Sequence, residues 1–413
     1  MKRILIFSLT YHPYIGGAEV AIKEITDRIP PDEYEFHMIT LRFNSALPEV
    51  EKMGNILVHR IGFATDSPSV SDRAMPLKLK IAKLLFPFTA ALKAHQLYKV
   101  KPYDAIWGMM ANYAGFAALF FKYSHPRIPY VLELQDGRVF EEMKARQPAL
   151  RFLWWLYKKI YMRADMIKAI SRFIEREVRA IGYEGKVVVI PNAVDVAKFS
   201  APVAEDDLIE LKQKVGKKMG DVFLFTASRL VLSRGVEDTI RALQFLPTNV
   251  KLLVAGTGED KEKLEQIADE TSVRERVIFL GHIDHAQLPA YYKIADIFVR
   301  PSLIEGFGNA FVEAFAAGVP VVATPVGGIP DFLFDPEQNP DFEPTGVFCE
   351  VSNPESIARA IEKYMNDPAL IARVIKNAKE LAAQKYDWNL IARDMKNRVF
   401  EPACAGRPLL TRG

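Results

Sequence analysis

The sequence predicts an α/β protein of two successive doubly wound domains, each with a parallel sheet covered by helices on both faces. Three observations support this fold class. Short apolar runs alternate with stretches of helical period through most of the 413 residues. A polar stretch around residues 205–207 interrupts the alternation once, after which it resumes. The chain is also longer than a single hydrophobic core usually supports.

Apolar runs bounded by turn residues predict the strands of the first domain, which we expect to span residues 1–195. These strands are expected at residues 3–9, 35–41, 56–63, 105–109, 130–134, 166–170 and 187–190. Helices are expected between them at residues 18–28, 113–123, 150–162 and 172–181. Strands that alternate with helices in this way are typical of parallel sheets.

The same pattern predicts the second domain, expected at residues 196–386. Its strands are expected at residues 222–226, 251–255, 277–280, 297–300 and 319–323. One or two helices should follow over 368–400, with a break near residues 386–388. Ligands of such sheets bind beyond the carboxyl ends of the strands. We therefore expect functional loops in a cleft where the two sheets face each other.

Composition describes an ordinary soluble enzyme, with 49% hydrophobic and 25% charged residues. A net charge of +3 is too small to indicate a nucleic-acid partner. Two cysteines make no disulfide framework and fit a reducing cytoplasm. No apolar run approaches the ~20 residues of a membrane span. We expect a cytoplasmic protein that is not integral to a membrane.

The stretch from Glu305 to Glu313, EGFGNAFVE, carries the most specific chemistry of the chain. One carboxylate lies in a glycine-flanked loop, and the second lies in a helix that begins near Gly308 and Asn309. A helix N-terminus has unpaired N–H donors and a partial positive charge, which suit a diphosphate. Carboxylates beside it accept hydrogen bonds from neutral hydroxyl groups, as a nucleotide sugar would offer.

This arrangement of two glutamates with GFGN between them resembles the signature of the family 4 retaining glycosyltransferases, group 1. The resemblance implies the GT-B fold, with two Rossmann-like domains and a last helix, about 387–413, that returns to the first domain. It places Glu305 at the reaction centre and Glu313 on the ribose hydroxyls of the donor. Gly306 and Phe307 would line the donor site with the residues that follow them.

Arg229 is expected at the end of the first strand of the second domain, and Arg234 just before the next helix. Two guanidinium groups that converge there match a diphosphate and would neutralise it as a leaving group. In the resemblance these are the phosphate-binding arginine and its lysine partner, here an arginine. Arginine keeps the charge but not the geometry of lysine.

Gly16 and Gly17 follow the first strand and open a helix. Glycines at such a position let backbone N–H groups approach a phosphate or a sugar closely. The family has a glycine pair in the corresponding loop, so these residues are expected to bind the donor. Glu19 is better explained as a first-turn partner of the helix dipole than as a ligand-binding residue.

Gln135 ends the strand at 130–134, where relatives commonly carry a histidine close to the donor sugar. Glutamine donates a hydrogen bond but does not titrate, so a histidine base at this strand end is excluded. Asp136 is then the nearest ionisable residue on the acceptor side, and a structural cap is the equal alternative. Asn192 resembles the hinge motif of the family, with an ordinary turn residue as the alternative.

Gly256 and Gly258 follow a strand, as in a dinucleotide-binding loop, but Lys261 replaces the third glycine of that motif. A nicotinamide or flavin cofactor is therefore not expected, and the family places this loop beside the base of the donor.

No metal is expected. The segment from His282 to His285 offers two histidines and Asp284, but Asp284 with Gln287 is better explained as a helix N-cap. The chain also has no Asp-x-Asp motif. The leaving-group charge should therefore be met by arginines and helix dipoles, without a metal cofactor.

Two basic, aromatic stretches, at residues 73–101 and 143–163, contain lysines and arginines but no acid. Such surfaces rest on anionic bilayers, with tryptophans at the headgroups. The alternative is that the apolar residues face the sheet and the bases are merely solvated. Both remain open, so peripheral contact with an anionic membrane is one expectation.

Together these features predict a retaining, metal-independent transfer of a sugar from a nucleoside diphosphate to a glycan or a lipid-linked acceptor. The second domain should hold the donor and the first the acceptor. Two alternatives stay open. One is a sugar-nucleotide epimerase or glycan phosphorylase of the same fold, and the other is a non-catalytic nucleotide-binding subunit.

Overall fold

The structure is a computed structural model that describes residues 1–14, 16–66, 75–137 and 154–405. The chain divides into two compact units. The first unit comprises Met1–Asn192 together with Trp388–Gly413, and the second comprises Ala193–Asp387.

The first unit contains an eight-stranded sheet in the order β3-β4-β2-β1-β5-β6-β7-β8. Its strands are β1 (Lys2–Phe7), β2 (Tyr34–Leu41), β3 (Val50–Met53), β4 (Ile56–Ile61), β5 (Ala105–Met109), β6 (Tyr130–Leu134), β7 (Met166–Ala169) and β8 (Lys186–Val189). Strands β5 and β6 are buried along their whole length, which explains why their sequences are apolar except at Glu133 of β6.

The sheet is parallel except at one edge, where β3 runs antiparallel to β4. The sequence predicted no strand at this position. β3 is short, and its residues alternate between exposed and half-buried. It thus lacks the apolar run that marks the buried strands.

Helices cover this sheet and join its parallel strands. Among the described residues they are α1 (Gly17–Asp27), α2 (Leu77–Val100), α3 (Tyr113–Ser124), α4 (Trp154–Met162) and α5 (Arg172–Ala180). The helix expected at 150–162 is described only from residue 154 onward, and the rest lies outside the described residues.

The second unit contains a six-stranded parallel sheet in the order β11-β10-β9-β12-β13-β14. Its strands are β9 (Val222–Ala227), β10 (Val250–Ala255), β11 (Val277–Gly281), β12 (Ile297–Arg300), β13 (Val321–Ala323) and β14 (Val347–Phe348). Its helices are α6 (Val196–Ser200), α7 (Glu205–Lys214), α8 (Val236–Ala242), α9 (Lys261–Glu270), α10 (Leu288–Ile294), α11 (Asn309–Ala317), α12 (Pro354–Asn366) and α13 (Pro368–Lys385).

The segment after Asp387 completes the first unit. It forms α14 (Trp388–Met395), a π-helical turn (Lys396–Phe400) and α15 (Glu401–Cys404). Phe400 is buried in this unit, with its ring 5.1 Å from that of Trp107 and 5.8 Å from that of Phe36. The helix break expected near residues 386–388 is confirmed.

Two Rossmann-like α/β units are thus present, as the sequence predicts. None of the described helices combines the length and the apolar character that crossing a membrane requires.

Candidate functional site

In the second unit, the chain leaves β9 toward β10 on one side and later returns to place β12 on the other side of β9. Loops from β9 and β12 therefore diverge at adjacent strand ends. This is the topological switch point at which open parallel sheets bind ligands. Most of the second unit's candidate residues lie in the loops at this edge.

Glu305 lies in the loop after β12 and is 6% exposed. Its Oε2 accepts a hydrogen bond from Arg300 Nη2 and another, of 3.0 Å, from Arg234 Nη1. Burial by itself opposes ionisation of this carboxyl group. The charges of the two arginines outweigh that effect, so the pKa of Glu305 lies below its ordinary value. Glu305 is therefore a buried carboxylate at neutral pH.

Arg300 was not among the candidate residues, although it ends β12 at this edge of the sheet. It is buried, and its guanidinium lies over the ring of Phe311, 4.5 Å from the ring centroid. The signal available in the sequence was a charged residue at the end of an apolar strand, shortly before the loop that carries Glu305.

Arg234 closes a 3₁₀ turn before α8, and the loop that carries it is tied to the Glu305 loop. Arg234 Nη1 also donates to the carbonyl of Ile304 at 3.0 Å. A Cβ atom on Gly235 would lie 1.9 Å from the carbonyl oxygen of Pro301. Only glycine permits this approach, and the left-handed φ of 71° at Gly235 favours it as well.

Arg229 lies two residues beyond the end of β9, rather than at the strand end where we expected it. Its side chain is exposed, and within the described part of the chain it makes no side-chain hydrogen bond or ion pair. The backbone N–H of Leu230 donates to the carbonyl of Thr257 at 2.9 Å. Arg229 is thus held beside the loop that contains Gly256 and Gly258.

Both glycines of that loop are required because their backbones touch the neighbouring loop. A Cβ atom on Gly256 would lie 1.9 Å from the carbonyl oxygen of Ser228, and one on Gly258 would lie 2.1 Å from that of Leu230. The glycines thus bring the loop after β10 against the loop that carries Arg229.

Helix α11 starts at Asn309 after Gly308, which has a left-handed φ of 95°. The backbone N–H of Gly306 is a minor contributor, after the two arginines, to the lowered pKa of Glu305. The side chain of Phe307 is buried, with its ring 5.1 Å from that of Phe332. Phe307 therefore belongs to the core of the second unit, and only its backbone is available to the site.

Glu313 lies inside α11 and is held by two side chains. Its Oε2 accepts from the Tyr292 hydroxyl at 3.2 Å, and its Oε1 is 3.3 Å from His285 Nε2. Burial is the main cause that raises the pKa of Tyr292, so this phenol stays protonated as a donor. Lys198 Nζ is 3.0 Å from His285 Nδ1, which must therefore accept, leaving Nε2–H to donate to Glu313.

His285 and Tyr292 were not expected near this carboxylate. The predicted cap of Asp284 and Gln287 was wrong, because α10 begins at Leu288 and its N-cap Gln287 makes no side-chain capping hydrogen bond within the described part of the chain. Asp284 instead lies 3.5 Å from His282, and both are exposed.

In the first unit, Gly16 caps α1 and Gly17 is its first residue. Glu19 is buried, and its Oε2 accepts from the backbone N–H of Gly16 at 2.8 Å. The hydroxyl of Thr10 donates to the other oxygen of Glu19. Glu19 therefore has the structural role that the sequence favoured, and it fixes the glycine loop.

Gln135 lies directly beside this loop, since its Oε1 is 3.9 Å from the position of a Cβ atom on Gly17. The same oxygen accepts from Asn192 Nδ2 at 2.9 Å. The structure therefore brings Gly17, Gln135 and Asn192 together in the first unit. Asp136 is half-buried, and its charge is a minor contributor, after burial, to the raised pKa of Tyr161.

Two further residues that sequence reasoning missed support Gln135. Glu133 and Lys168 are completely buried and form an ion pair of 2.7 Å between Oε1 and Nζ. Each is the single charged residue of an otherwise apolar strand, and this pattern in the sequence could have identified them.

Comparisons with known proteins agree with this architecture. Residues 208–381 match the family model described as Glycosyl transferases group 1. Residues 15–198 match the model described as Glycosyltransferase Family 4. Together the two matches extend over most of the chain.

An uncharacterized glycosyltransferase of Methanocaldococcus jannaschii is 28% identical over 411 residues, covering 96% of this chain and 97% of the relative. Sucrose-phosphate synthase from Thermosynechococcus elongatus superimposes with a TM-score of 0.80 at 20% identity, covering 98% of this chain and all of that one. Anabaena HepE in complex with UDP-glucose gives a TM-score of 0.75 at 21% identity, with coverages of 97% and 100%. These structures are similar in fold.

Proposed function

Since the chain belongs to the family 4 glycosyltransferases of group 1, we propose that it is a retaining enzyme that transfers a sugar from a nucleoside diphosphate to a hydroxyl group. The acceptor is a glycan or a lipid-linked saccharide. The observation that carries the proposal is Glu305, a buried carboxylate held by Arg300 and Arg234 at the switch point of the second unit.

The donor is assigned to the second unit. Arg229, exposed at the edge of the sheet, and Arg234 meet the diphosphate, and the N-terminus of α11 adds its dipole. Glu313 accepts hydrogen bonds from the ribose hydroxyls. Its two oxygens offer about four acceptor positions, so the contacts with Tyr292 and His285 leave room for a ligand.

In the reaction, the bond between the anomeric carbon and the phosphate oxygen breaks, and a bond to the acceptor oxygen forms on the same face of the sugar. The acceptor proton passes to the leaving phosphate. Positive charge develops on the sugar ring and negative charge on the phosphate, so catalysis requires groups that stabilise each. We assign stabilisation of the positive sugar ring to Glu305 and stabilisation of the negative phosphate to the arginines, without a metal.

The test is release of nucleoside diphosphate from candidate nucleotide sugars, starting with UDP-glucose, with and without EDTA. We expect turnover that EDTA does not change and a product with the anomeric configuration of the donor. Glu305→Gln, which keeps the side-chain shape, should reduce kcat at least about 100-fold. Arg229→Ala should weaken nucleotide binding roughly tenfold or more.

Arg359→Ala is the matched control for Arg229→Ala, because Arg359 is an exposed arginine on α12 of the same unit. It should leave turnover and binding unchanged. Turnover in Glu305→Gln equal to that of the parent protein would reject the assignment. Conversion of the donor without an acceptor would favour an epimerase, and tight nucleotide binding without turnover would favour a non-catalytic subunit.

We further place the enzyme at the cytoplasmic face of an anionic membrane, held through α2. Leu79 and Phe86 of this helix face the core, but another stripe of apolar residues is at least 60% exposed: Leu77, Leu84, Phe88 and Leu92. Lysines flank the stripe, and α2 contains no acidic residue. Most of the second basic stretch, at residues 143–163, lies outside the described residues, as does Arg73.

Flotation with vesicles tests this placement. The protein should float with vesicles that contain phosphatidylglycerol and remain unbound to phosphatidylcholine alone. Leu84→Ser/Leu92→Ser should lose most of that binding, whereas Met219→Ser/Phe245→Ser, which changes exposed apolar residues of the second unit, should not. Equal binding by both double variants would exclude α2 as the contact.

A further inference from the structure

A buried ion pair lies inside the first sheet. Glu133 on β6 and Lys168 on β7 are register partners on adjacent strands, and neither side chain is exposed. Burial is the main cause that lowers the pKa of Lys168, against the attraction of Glu133. Burying two charges costs several kcal/mol each, and such a pair is weak evidence for stability. Its contacts indicate a different role.

Glu133 accepts hydrogen bonds from three different side chains. Besides Lys168, Trp107 Nε1 donates to its Oε2 at 2.9 Å, and Gln135 Nε2 donates to its Oε1 at 2.6 Å. Lys168 donates to this carboxylate as well, at 2.7 Å, and supplies its countercharge. The carboxylate thus connects the interior of the sheet to Gln135 at the strand end.

This contact fixes which way the amide of Gln135 faces. A carboxylate only accepts hydrogen bonds, so the amino group of Gln135 must point to Glu133. Its oxygen then points to Gly17 and to Asn192, whose Nδ2 donates to it at 2.9 Å. The orientation of one amide therefore determines that of the next.

Asn192 ends this chain of contacts with an unpaired acceptor. The residue is 3% exposed, and its Oδ1 is buried without a hydrogen-bond partner among the described residues. A buried polar atom without a partner costs about 1–3 kcal/mol, so a ligand that donates to it would regain that energy. The oxygens of Gln135 and Asn192 together suit hydroxyl groups and repel phosphate.

We propose that Glu133 and Lys168 are positioning residues that hold Gln135 and Asn192 as a hydroxyl-binding subsite for the sugar substrate. The subsite lies beside Gly17 and takes a neutral sugar hydroxyl. This inference rests on the proposed function, because it assumes that a sugar is the ligand.

A double-mutant cycle on the intact protein tests the inference. The variants are Gln135→Ala, the pair variant Glu133→Gln/Lys168→Met, and their combination. An amide at position 133 can donate or accept, so it no longer dictates the orientation of Gln135, and removal of both charges avoids an unpaired ion. We expect kcat/KM to fall roughly tenfold in Gln135→Ala and in the pair variant. The combination should fall no further, since both changes act through one side chain.

Asp165→Asn/Lys122→Met is the matched control. This pair is also 2.7 Å apart in the first unit, and among the described residues neither partner contacts Gln135. Its kcat/KM should stay within about twofold of the parent protein, whatever its melting temperature. Additive losses in the cycle, or a pair variant with unchanged kcat/KM, would overturn the inference.

A crystal structure of the pair variant tests the positioning role of Glu133 and Lys168 without an activity measurement. The inference expects Gln135 to leave its contact with Asn192 or to take several rotamers. Retention of the parent contact would overturn it. Failure of the parent protein to turn over any donor would reject the proposed function instead, and the crystal structure would still judge the positioning role.

Discussion

Glu305 and Arg300 depend on each other inside the second unit. Both are less than a tenth exposed, and Arg234 is the other partner of the carboxylate. Removing one member of a buried pair leaves the other charge uncompensated, which is more harmful than removing both. The consequence can be measured as stability separately from catalysis.

Arg300→Met should lower the free energy of unfolding of the second unit by roughly 3 kcal/mol, the low end for a broken buried pair, because Arg234 remains. Arg300→Met/Glu305→Gln should be more stable than this single variant. Arg229→Met, which changes an exposed arginine at the same edge, should leave stability unchanged. Urea unfolding checks all three, and a destabilised Arg229→Met would contradict the assignment of separate roles.

His59 is a second residue whose charge state matters, here for the stability of the first unit. It is buried, and its Nε2 lies 3.3 Å from His37 Nδ1. Burial, followed by the charges of His37 and Lys93, lowers the pKa of His59 to about 4. The folded protein therefore resists protonation that the unfolded chain accepts at its ordinary pKa near 6.5.

The contribution of His59 to the free energy of unfolding is fully present above pH ~6.5 and declines as the pH falls toward about 4. The loss is at most roughly 3 kcal/mol, from 1.36 kcal/mol per unit of pKa. His59→Phe should flatten the dependence between pH 6.5 and 4.5, whereas His282→Asn, at an exposed histidine, should not. If the free energy of unfolding, measured with urea, has the same pH dependence in the parent and in His59→Phe over that range, this explanation is excluded.

At the scale of elements, glycines decide how closely the loops of the second unit approach. Gly235 and Gly216 both have a left-handed φ, of 71° and 69°. A Cβ atom on Gly216 would meet none of the described residues within 4 Å, whereas one on Gly235 would meet the carbonyl oxygen of Pro301. The two positions therefore separate backbone strain from a collision between loops.

Gly216→Ala should cost about 1–2 kcal/mol through its backbone conformation alone. Gly235→Ala should cost more and should also weaken nucleoside diphosphate binding roughly tenfold, because it separates the loops that hold Arg234 and Glu305. Thermal unfolding and calorimetry with UDP and GDP measure the two effects. Equal affinity of both variants would contradict a role for this loop approach in binding.

The buried strands were predictable to within about two residues because apolar residues dominate their sequences. The edge strand β3 and the two-residue β14 carry no such signal. The start of α10 was misplaced because Asp284 has the sequence of a cap without its contact. Local chemistry specifies a helix end only when the side chain reaches the backbone.

The candidate site could likewise be predicted only in part from the sequence. The glycines and Glu305 could be identified because their motif is contiguous, but their partners come from other strands. Glu133 and Lys168 are 35 positions apart in sequence and meet only through the register of β6 and β7. Arg300 could be recognised as a partner of Glu305 only once both side chains were placed.

At the scale of the whole molecule, each unit has its own core, and the first core is built from distant parts of the chain. Phe400 packs on Trp107 and Phe36 in the first unit. Phe332 is buried in the second unit, with its ring 5.9 Å from that of Phe311. These phenylalanines report on the two units separately.

Phe400→Ala should destabilise the first unit by about 3–5 kcal/mol, as expected for a buried phenylalanine. Hydrogen exchange should then accelerate in β1, β2 and β5 and stay unchanged in β9 and β12. Phe332→Ala should give the reverse pattern. A uniform acceleration in both units by either variant would show that the chain unfolds as one cooperative body.

The return of the chain to the first unit has a consequence for synthesis on the ribosome. The whole second unit emerges before Trp388 does. At about 5–20 residues per second, the nascent first unit waits on the order of ten to forty seconds for the segment that carries Phe400. Throughout that interval Trp107 and Phe36 lack their contact with Phe400 and are accessible to chaperones. The unit that is translated first is therefore the one that matures last.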